Sequence, residues 1–262
     1  MDRQELHNLR KWFSEYCRSF YTPVPEDQKN IVLKEEHTRC VCENMAEIGR
    51  HLGLDPGRAA LAEAIALFHD VGRFPQYHLY KTFRDDLSTN HAALGAGVLV
   101  KENVLRNLPR NERDLVVHAV TLHNTLAVPE GLDEESLLFL RMVRDADKLD
   151  IWRVFIDYYA QRNEDRASAA ALGLPDTPEY SAEALASIRK RELVLLKSLR
   201  TLNDFKLLQL AWIFDLNFAR SLELVRERSI IDGIANTLPH TEDIALAVNS
   251  IRDYVDKKLA AA

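Results

Sequence analysis

The run Ala66–Gln76, ALFHDVGRFPQ, closes an apolar stretch on a histidine and an aspartate, two side chains that a buried helix end does not need. Leu61, Ile65 and Phe68 recur at the spacing of one helix face. A carboxylate set against such a face is costly unless something pairs with it. Asp70 therefore needs a partner, and His69 beside it is a candidate metal ligand.

Other polar residues fall on apolar faces in the same way. In NIVLKEEHTRCVCENMAEIG, His37 shares a stripe with Leu33, Val41 and Ile48. His91 opens NHAALGAGVLV on the face of Leu94 and Val98, and Ala92, Ala93, Gly95, Ala96 and Gly97 are small enough for another backbone to approach. In FLRMVRDADKLDIWRV, Asp147 sits in a stripe with Leu140, Val143, Ile151 and Val154, so it must be paired, protonated or bound to metal. Asp145 and Asp150 fall on other sides of that helix and are expected to be solvated or salt-bridged. DLVVHAVTLHNT carries His118 and His123, whose spacing turns them about 140° apart on a helix, so they do not serve one metal together. His123 ends the helix on the face of Val116, Ala119 and Val120 and is the favoured ligand; His118 goes with Leu115 and Leu122 as a packing or supporting residue.

Four imidazoles and two carboxylates on separate helices form the kind of metal site that helical bundles build from facing side chains. Imidazole with carboxylate suits Fe, Mn, Zn or Co, and the lack of a thiolate set argues against a structural zinc finger. Cys40 and Cys42 are read as idle thiols.

The elements that must carry these residues are helical throughout. Periodicity predicts helices over 3–20, 28–52, 57–71, 90–107, 111–124, 134–162, 180–202, 204–228 and 241–259, with Asp133 capping the sixth. Gly72 and Pro75 stop the third, leaving 73–88 as a loop. Phe205–Leu224 is apolar nearly all round and reads as a central core helix. Only Gln161–Tyr180 resembles a linker, and the expected architecture is a compact all-α bundle forming one domain over 1–262, with a core near 30–155 and a helical extension over 156–262. The composition, 47% hydrophobic and 28% charged, is that of an ordinary globular chain. A net charge of −6 gives no footprint for a nucleic-acid polymer, and no apolar run is long enough for a membrane span. The amphipathic N-terminus and the odd cysteine count make the cytoplasm the expected location.

The order His37, His69-Asp70, Asp147, with the pieces HDVGRFPQ, NHAALG, LHN and DADKLD, resembles a bacterial branch of the HD-domain metal-dependent phosphohydrolase superfamily. The resemblance covers about residues 30–155. It implies an all-α fold and puts metal on His37, His69, Asp70 and Asp147. His91 and His123 look like the histidines that add a second metal in binuclear relatives, where Asp70 would bridge two divalent ions. Relatives often carry an aspartate where this chain has Asn90, which puts the support of His91 in question. No GYP signature follows His123, so the cyclic-di-GMP-specific class is not indicated.

Such a pair of metals activates water against phosphorus, and the protein must add cations for the phosphoryl oxygens. Arg73 is the first choice because a guanidinium fits phosphate bidentately; Lys148 beside Asp147, and Lys81 and Arg84 in the aromatic, basic segment 73–88, are weaker candidates. Asp70, Arg73 and Lys148 are thus the expected catalytic set, acting on a small phosphate monoester or diester, with nucleotides among the candidates. A di-iron oxygenase of the same superfamily and a non-catalytic metal-binding sensor are the alternatives.

Overall fold

The computed structural model describes residues 1–161, 167–170 and 173–261. Among these there are helices and connecting segments and no strand, as the periodicity predicts. The described chain divides into two compact units: Met1–Asp150 with Ala167–Ala170, and the remaining residues from Ile151 onward. Of the expected linker Gln161–Tyr180, residues 162–166, 171 and 172 lie outside the described residues, as does the last residue of the helix expected over 134–162.

The first unit is organised around α3 (Pro56–Phe68), which packs against α1 (Arg3–Arg18), α2 (Pro25–His51) and α6 (Arg110–Leu122). Pro56 opens α3 behind Asp55, whose carboxylate accepts from the Gly57 and Arg58 amides. From Ala60 onward nearly every side chain of α3 is buried, Ile65 and Phe68 completely. Burial of a side chain of that size is worth about 1.5–3 kcal/mol. A helix buried on all sides delivers its C-terminal residues, His69 and Asp70, to the interior of the unit.

Segment 73–88 is not the loop the sequence suggests. Arg73–Tyr80 forms α4, followed by a single 3-10 turn at Asp85–Leu87. Pro75 lies in the first turn of α4, where a missing N–H removes no intrahelical bond. Gly72 has φ −71°, so it does not act as a left-handed stop. Its role is steric: a Cβ there would lie 2.1 Å from the His91 carbonyl oxygen and 2.5 Å from the Gly95 nitrogen. The α3–α4 corner therefore sits directly on α5 (His91–Lys101), on the stretch of small residues noted in the sequence. Helix α7 (Glu134–Ala160) begins behind Asp133, which accepts from the Glu135 and Ser136 amides.

In the second unit two expected helices are interrupted. Residues 180–202 yield α8 (Ala182–Lys190), which ends at Arg191 in the left-handed region with φ 60°. The next helix, α9 (Leu202–Ala211), starts from a capping box in which Thr201 and Asp204 exchange bonds. Phe205–Leu224 is not one helix: a 3-10 turn at Trp212–Asp215 leads into extended backbone before α10 (Ala219–Glu227). There Asn217 Nδ2 donates to the Asp215 carbonyl, a local bond that competes with helix continuation. The chain ends with α11 (Ile230–Ala235) and α12 (Glu242–Ala260).

Candidate metal centre

Five elements of the first unit bring the predicted ligands together. His37 projects from the middle of α2, His69 and Asp70 follow α3, His91 is the first residue of α5, His123 follows α6, and Asp147 comes from α7. Asn90 caps α5 by accepting from the Ala93 amide, which fixes the start of the helix that carries His91.

The rings are held by their Nδ1 atoms. His69 Nδ1 lies 2.7 Å from the Ala66 carbonyl, and His123 Nδ1 lies 2.8 Å from the Val120 carbonyl. A carbonyl only accepts, so each of these nitrogens carries the proton. His37 Nδ1 meets Asp150 at 2.7 Å, and His91 Nδ1 meets Asp85 at 2.7 Å. All four Nε2 atoms are left pointing inward in pairs: His37 to His69 at 3.3 Å, and His91 to His123 at 3.0 Å. In the neutral tautomers so fixed, each pair sets two lone pairs against each other. A cation accepting both resolves that repulsion, and carboxylates or carbonyls on Nδ1 are the usual support of metal-binding histidines.

Asp70 divides its oxygens between the pairs. Oδ2 lies 3.6 Å from His37 Nε2 and 3.8 Å from His69 Nε2. Oδ1 lies 3.3 Å from His91 Nε2 and 3.8 Å from His123 Nε2. Asp147 Oδ1 adds to the first group, 3.1 Å from His37 Nε2 and 3.7 Å from His69 Nε2. Donors about 2.1 Å from one ion lie about 3.0 Å apart at a right angle and about 3.4 Å apart in a tetrahedron. His37, His69 and Asp70 thus form one group that could hold a metal ion and Asp70, His91 and His123 a second, sharing one carboxylate. The Asp147 side chain is 19% exposed whereas that of Asp70 is 5% exposed, so the first group opens to solvent on the Asp147 side.

Electrostatics separate the two groups. Burial, with His91 and His69 alongside, pushes His123 down to about 3, and burial with Arg73 also lowers His91. Both rings are neutral near pH 7. For His37, burial and Lys34 favour the neutral ring, but Asp147 and Asp150 together outweigh them and raise it. Burial opposes ionisation of Asp70, yet Lys34, His69, Arg73 and His91 hold it well below the carboxylate range. Asp147 is held low by His37 and His69 against the same burial. A proton therefore competes with a cation for His37 more than for His91 or His123.

Several residues that support the site carry no obvious mark in the sequence. Asp85, brought to about 2 against its burial chiefly by His91, also accepts from Arg73, Gln76 and Asn124. It supplies the support for His91 that Asn90 left in question. Asp150 and Asp145 are both buried, and Asp150 is paired with His37, the second of the two expected alternatives, and orients its ring. Between Phe139 and Leu149 most of α7 is buried, with Arg141 exposed, so its apolar stripe could not tell one aspartate face from another. Arg144, buried, donates to the carbonyls of His123 and Thr125 and so fixes the turn that presents His123. Lys34 Nζ lies 2.8 Å from Asp70 Oδ2.

Of the expected cations, Arg73 is in the cluster, with Nε 3.4 Å from Asp70 Oδ1. Lys148 Nζ donates back to the Arg144 carbonyl at 3.3 Å, Lys81 pairs with Asp27 and Arg84 with Asp86. His118 is exposed on α6 and is not among the converging rings. Cys40 and Cys42 are unbridged.

Among the described residues, no helix is long and apolar enough to cross a membrane. Residues 35–152 match the family model described as HD domain. No curated protein and no solved structure matches the chain.

Proposed function

We propose, from the premise that this chain carries an HD domain over residues 35–152, that it is a metal-dependent phosphohydrolase acting on a small phosphate monoester or diester. The observation that carries this reading is the sharing of Asp70 between two histidine pairs whose Nε2 lone pairs converge. Divalent ions bound there supply Lewis acidity toward a phosphoryl oxygen and an acidified water for attack on phosphorus.

The chain's own part in that reaction is positional. Asp150 and Asp85 hold the His37 and His91 rings by Nδ1, and the Ala66 and Val120 carbonyls hold His69 and His123. Substrate would enter on the Asp147 side, which is more exposed than Asp70, and meet basic residues beside the carboxylates. Arg73 and Lys148 are the ones the sequence singles out for this role. The two-metal stoichiometry, Asp147 as a ligand and a cytoplasmic location belong to the same proposal.

The test is hydrolysis of p-nitrophenyl phosphate and bis-p-nitrophenyl phosphate by the Mn²⁺-loaded protein, wild type against Asp70→Ala. Turnover that needs metal and disappears in the variant is the expected result. A metal-loaded wild type that hydrolyses neither ester refutes the reading. Oxygen uptake by the iron-loaded protein would then favour an oxygenase, and occupancy without either reaction a sensor.

A further inference from the structure

Lys34 stands three residues before His37 on α2, and its ammonium reaches the buried carboxylate that the two histidine pairs share. Its Nζ lies 2.8 Å from Asp70 Oδ2, the oxygen that faces the His37–His69 pair. The same Nζ lies 5.2 Å from the centre of the Phe83 ring, which forms an apolar wall on one side of the charge. The Lys34 side chain is 16% exposed, close to the 19% of Asp147 and unlike the 5% of Asp70. Solvent therefore reaches the Lys34 side chain while its ammonium pairs with Asp70. An ammonium carries three donors, and among the described residues Asp70 takes one of them.

Arg73 is nearly as exposed, at 15%, and differs in its bonding. Its Nη1 is committed to three acceptors: Gln76 Oε1 at 2.8 Å, the Phe83 carbonyl at 2.5 Å and Asp85 Oδ1 at 2.9 Å. Its Nε approaches Asp70 Oδ1 without a hydrogen bond. The guanidinium thus ties α4 to the segment that carries Asp85, and through Asp85 to His91.

Resting on the phosphohydrolase reading, we infer that Lys34, and not Arg73, is the cation that grips a tetrahedral oxyanion at this centre. Arg73 is a positioning residue for Asp85. The juxtaposition behind this is a partly exposed ammonium on Asp70 at an edge of the first group, backed by an aromatic wall. A phosphoryl oxygen reaching that edge meets a donor of opposite charge in a place screened from bulk water on the Phe83 side, where the attraction is stronger than in solution.

Inorganic phosphate is the probe, titrated calorimetrically into the Mn²⁺-loaded full-length protein, with metal content measured on every sample. Lys34→Met keeps most of the stem and removes the charge; Lys34→Arg restores a cation; Arg73→Gln removes the other one. A hydrogen bond to a charged group contributes enough that Lys34→Met should weaken phosphate binding about 10- to 100-fold with metal content unchanged. Lys34→Arg should recover most of that loss, and Arg73→Gln should lose less than Lys34→Met. The inference is overturned if the metal-loaded wild type binds no phosphate, if Lys34→Met binds it normally, if it loses metal along with phosphate, or if Arg73→Gln carries the larger loss. Phosphate binding that depends on Lys34 in a protein that hydrolyses no ester would leave this inference standing and remove the phosphohydrolase reading.

Discussion

The Nε2 atoms of His91 and His123 lie 3.0 Å apart although the Nδ1 atom of each ring is already committed, to Asp85 and to the Val120 carbonyl. The same opposition recurs at 3.3 Å between His37 and His69, and Asp70 presents one oxygen to each pair. If one carboxylate serves two ions, its loss costs both. Asp70→Asn keeps the volume and removes the charge, and should lower the bound Mn²⁺ from two per chain toward none, with ester hydrolysis down by more than about 100-fold. Retention of one tightly held ion in Asp70→Asn would mean that the two groups do not depend on a common carboxylate.

Asp85 separates the groups. It touches His91 and none of the other imidazoles that the hydrogen bonds describe. Asp85→Asn should weaken the ion at His91 and His123 about 10- to 100-fold and leave the ion at His37 and His69 in place, since loss of such an outer partner typically costs that much affinity. Metal titration followed by elemental analysis reads this as a fall from two tight ions to one. Equal loss at both groups would contradict the assignment of Asp85 to His91 alone.

Stability of the metal-free protein should peak near pH 6.5. The depressed His91 and His123 bind fewer protons folded than unfolded, so their contribution is complete above about pH 6.5 and falls as pH drops, by up to about 1.4 kcal/mol per pH unit for each. The raised His37 acts oppositely: its contribution is complete below about pH 6.5 and is lost as pH rises through the raised value. The low carboxyls of Asp70 and Asp147 contribute above about pH 4 and lose that contribution only in stronger acid. Melting temperatures in chelator from pH 5 to pH 8 would show the maximum; a monotonic rise across that range would rule out a proton held on His37.

The helices and most of the converging residues were legible because buried helices repeat their apolar residues and because a histidine or aspartate interrupts that repeat visibly. His37, His69, His91 and His123 each broke such a pattern. Asp85 broke none, since it lies in a polar segment where an aspartate is unremarked. Lys34 carries no mark in the sequence because a lysine on a helix is ordinarily solvated, and only the fold shows that Asp70 lies within reach. Helix α4 is hidden because Pro75 reads as a break in sequence, whereas in the first turn it is tolerated. The breaks in 180–202 and 204–228 depend on a left-handed Arg191 and on local bonds around Asp215, neither of which periodicity reports.

Gly72 converts packing into site geometry. Its missing Cβ lets the residues after Asp70 lie against the backbone of His91 and Gly95, which brings the first pair within reach of the second. Gly72→Ala must push that corner away from α5, at a cost of about 1–3 kcal/mol or more. The expected result is a lower melting temperature together with weaker metal binding at the His91–His123 group. Normal metal affinity in a destabilised Gly72→Ala would show that the corner can shift without moving Asp70.

His118 and His123 provide the last discrimination, because they share a helix region and differ in surroundings. His123 is buried beside His69 and His91, with its following turn clamped by Arg144, whereas His118 is exposed. His123→Ala removes one of the three donors of the second group and should release one ion of two, with a loss of hydrolysis of more than about 100-fold. His118→Ala should leave metal content and activity within about twofold of wild type, as expected of an exposed substitution. Arg144→Met adds a graded case: the ring of His123 stays but its turn loses the guanidinium, so affinity at the second group should fall less than in His123→Ala. If His118→Ala released the ion and His123→Ala did not, the convergence of His91 and His123 would be packing, and the second metal would have to lie elsewhere.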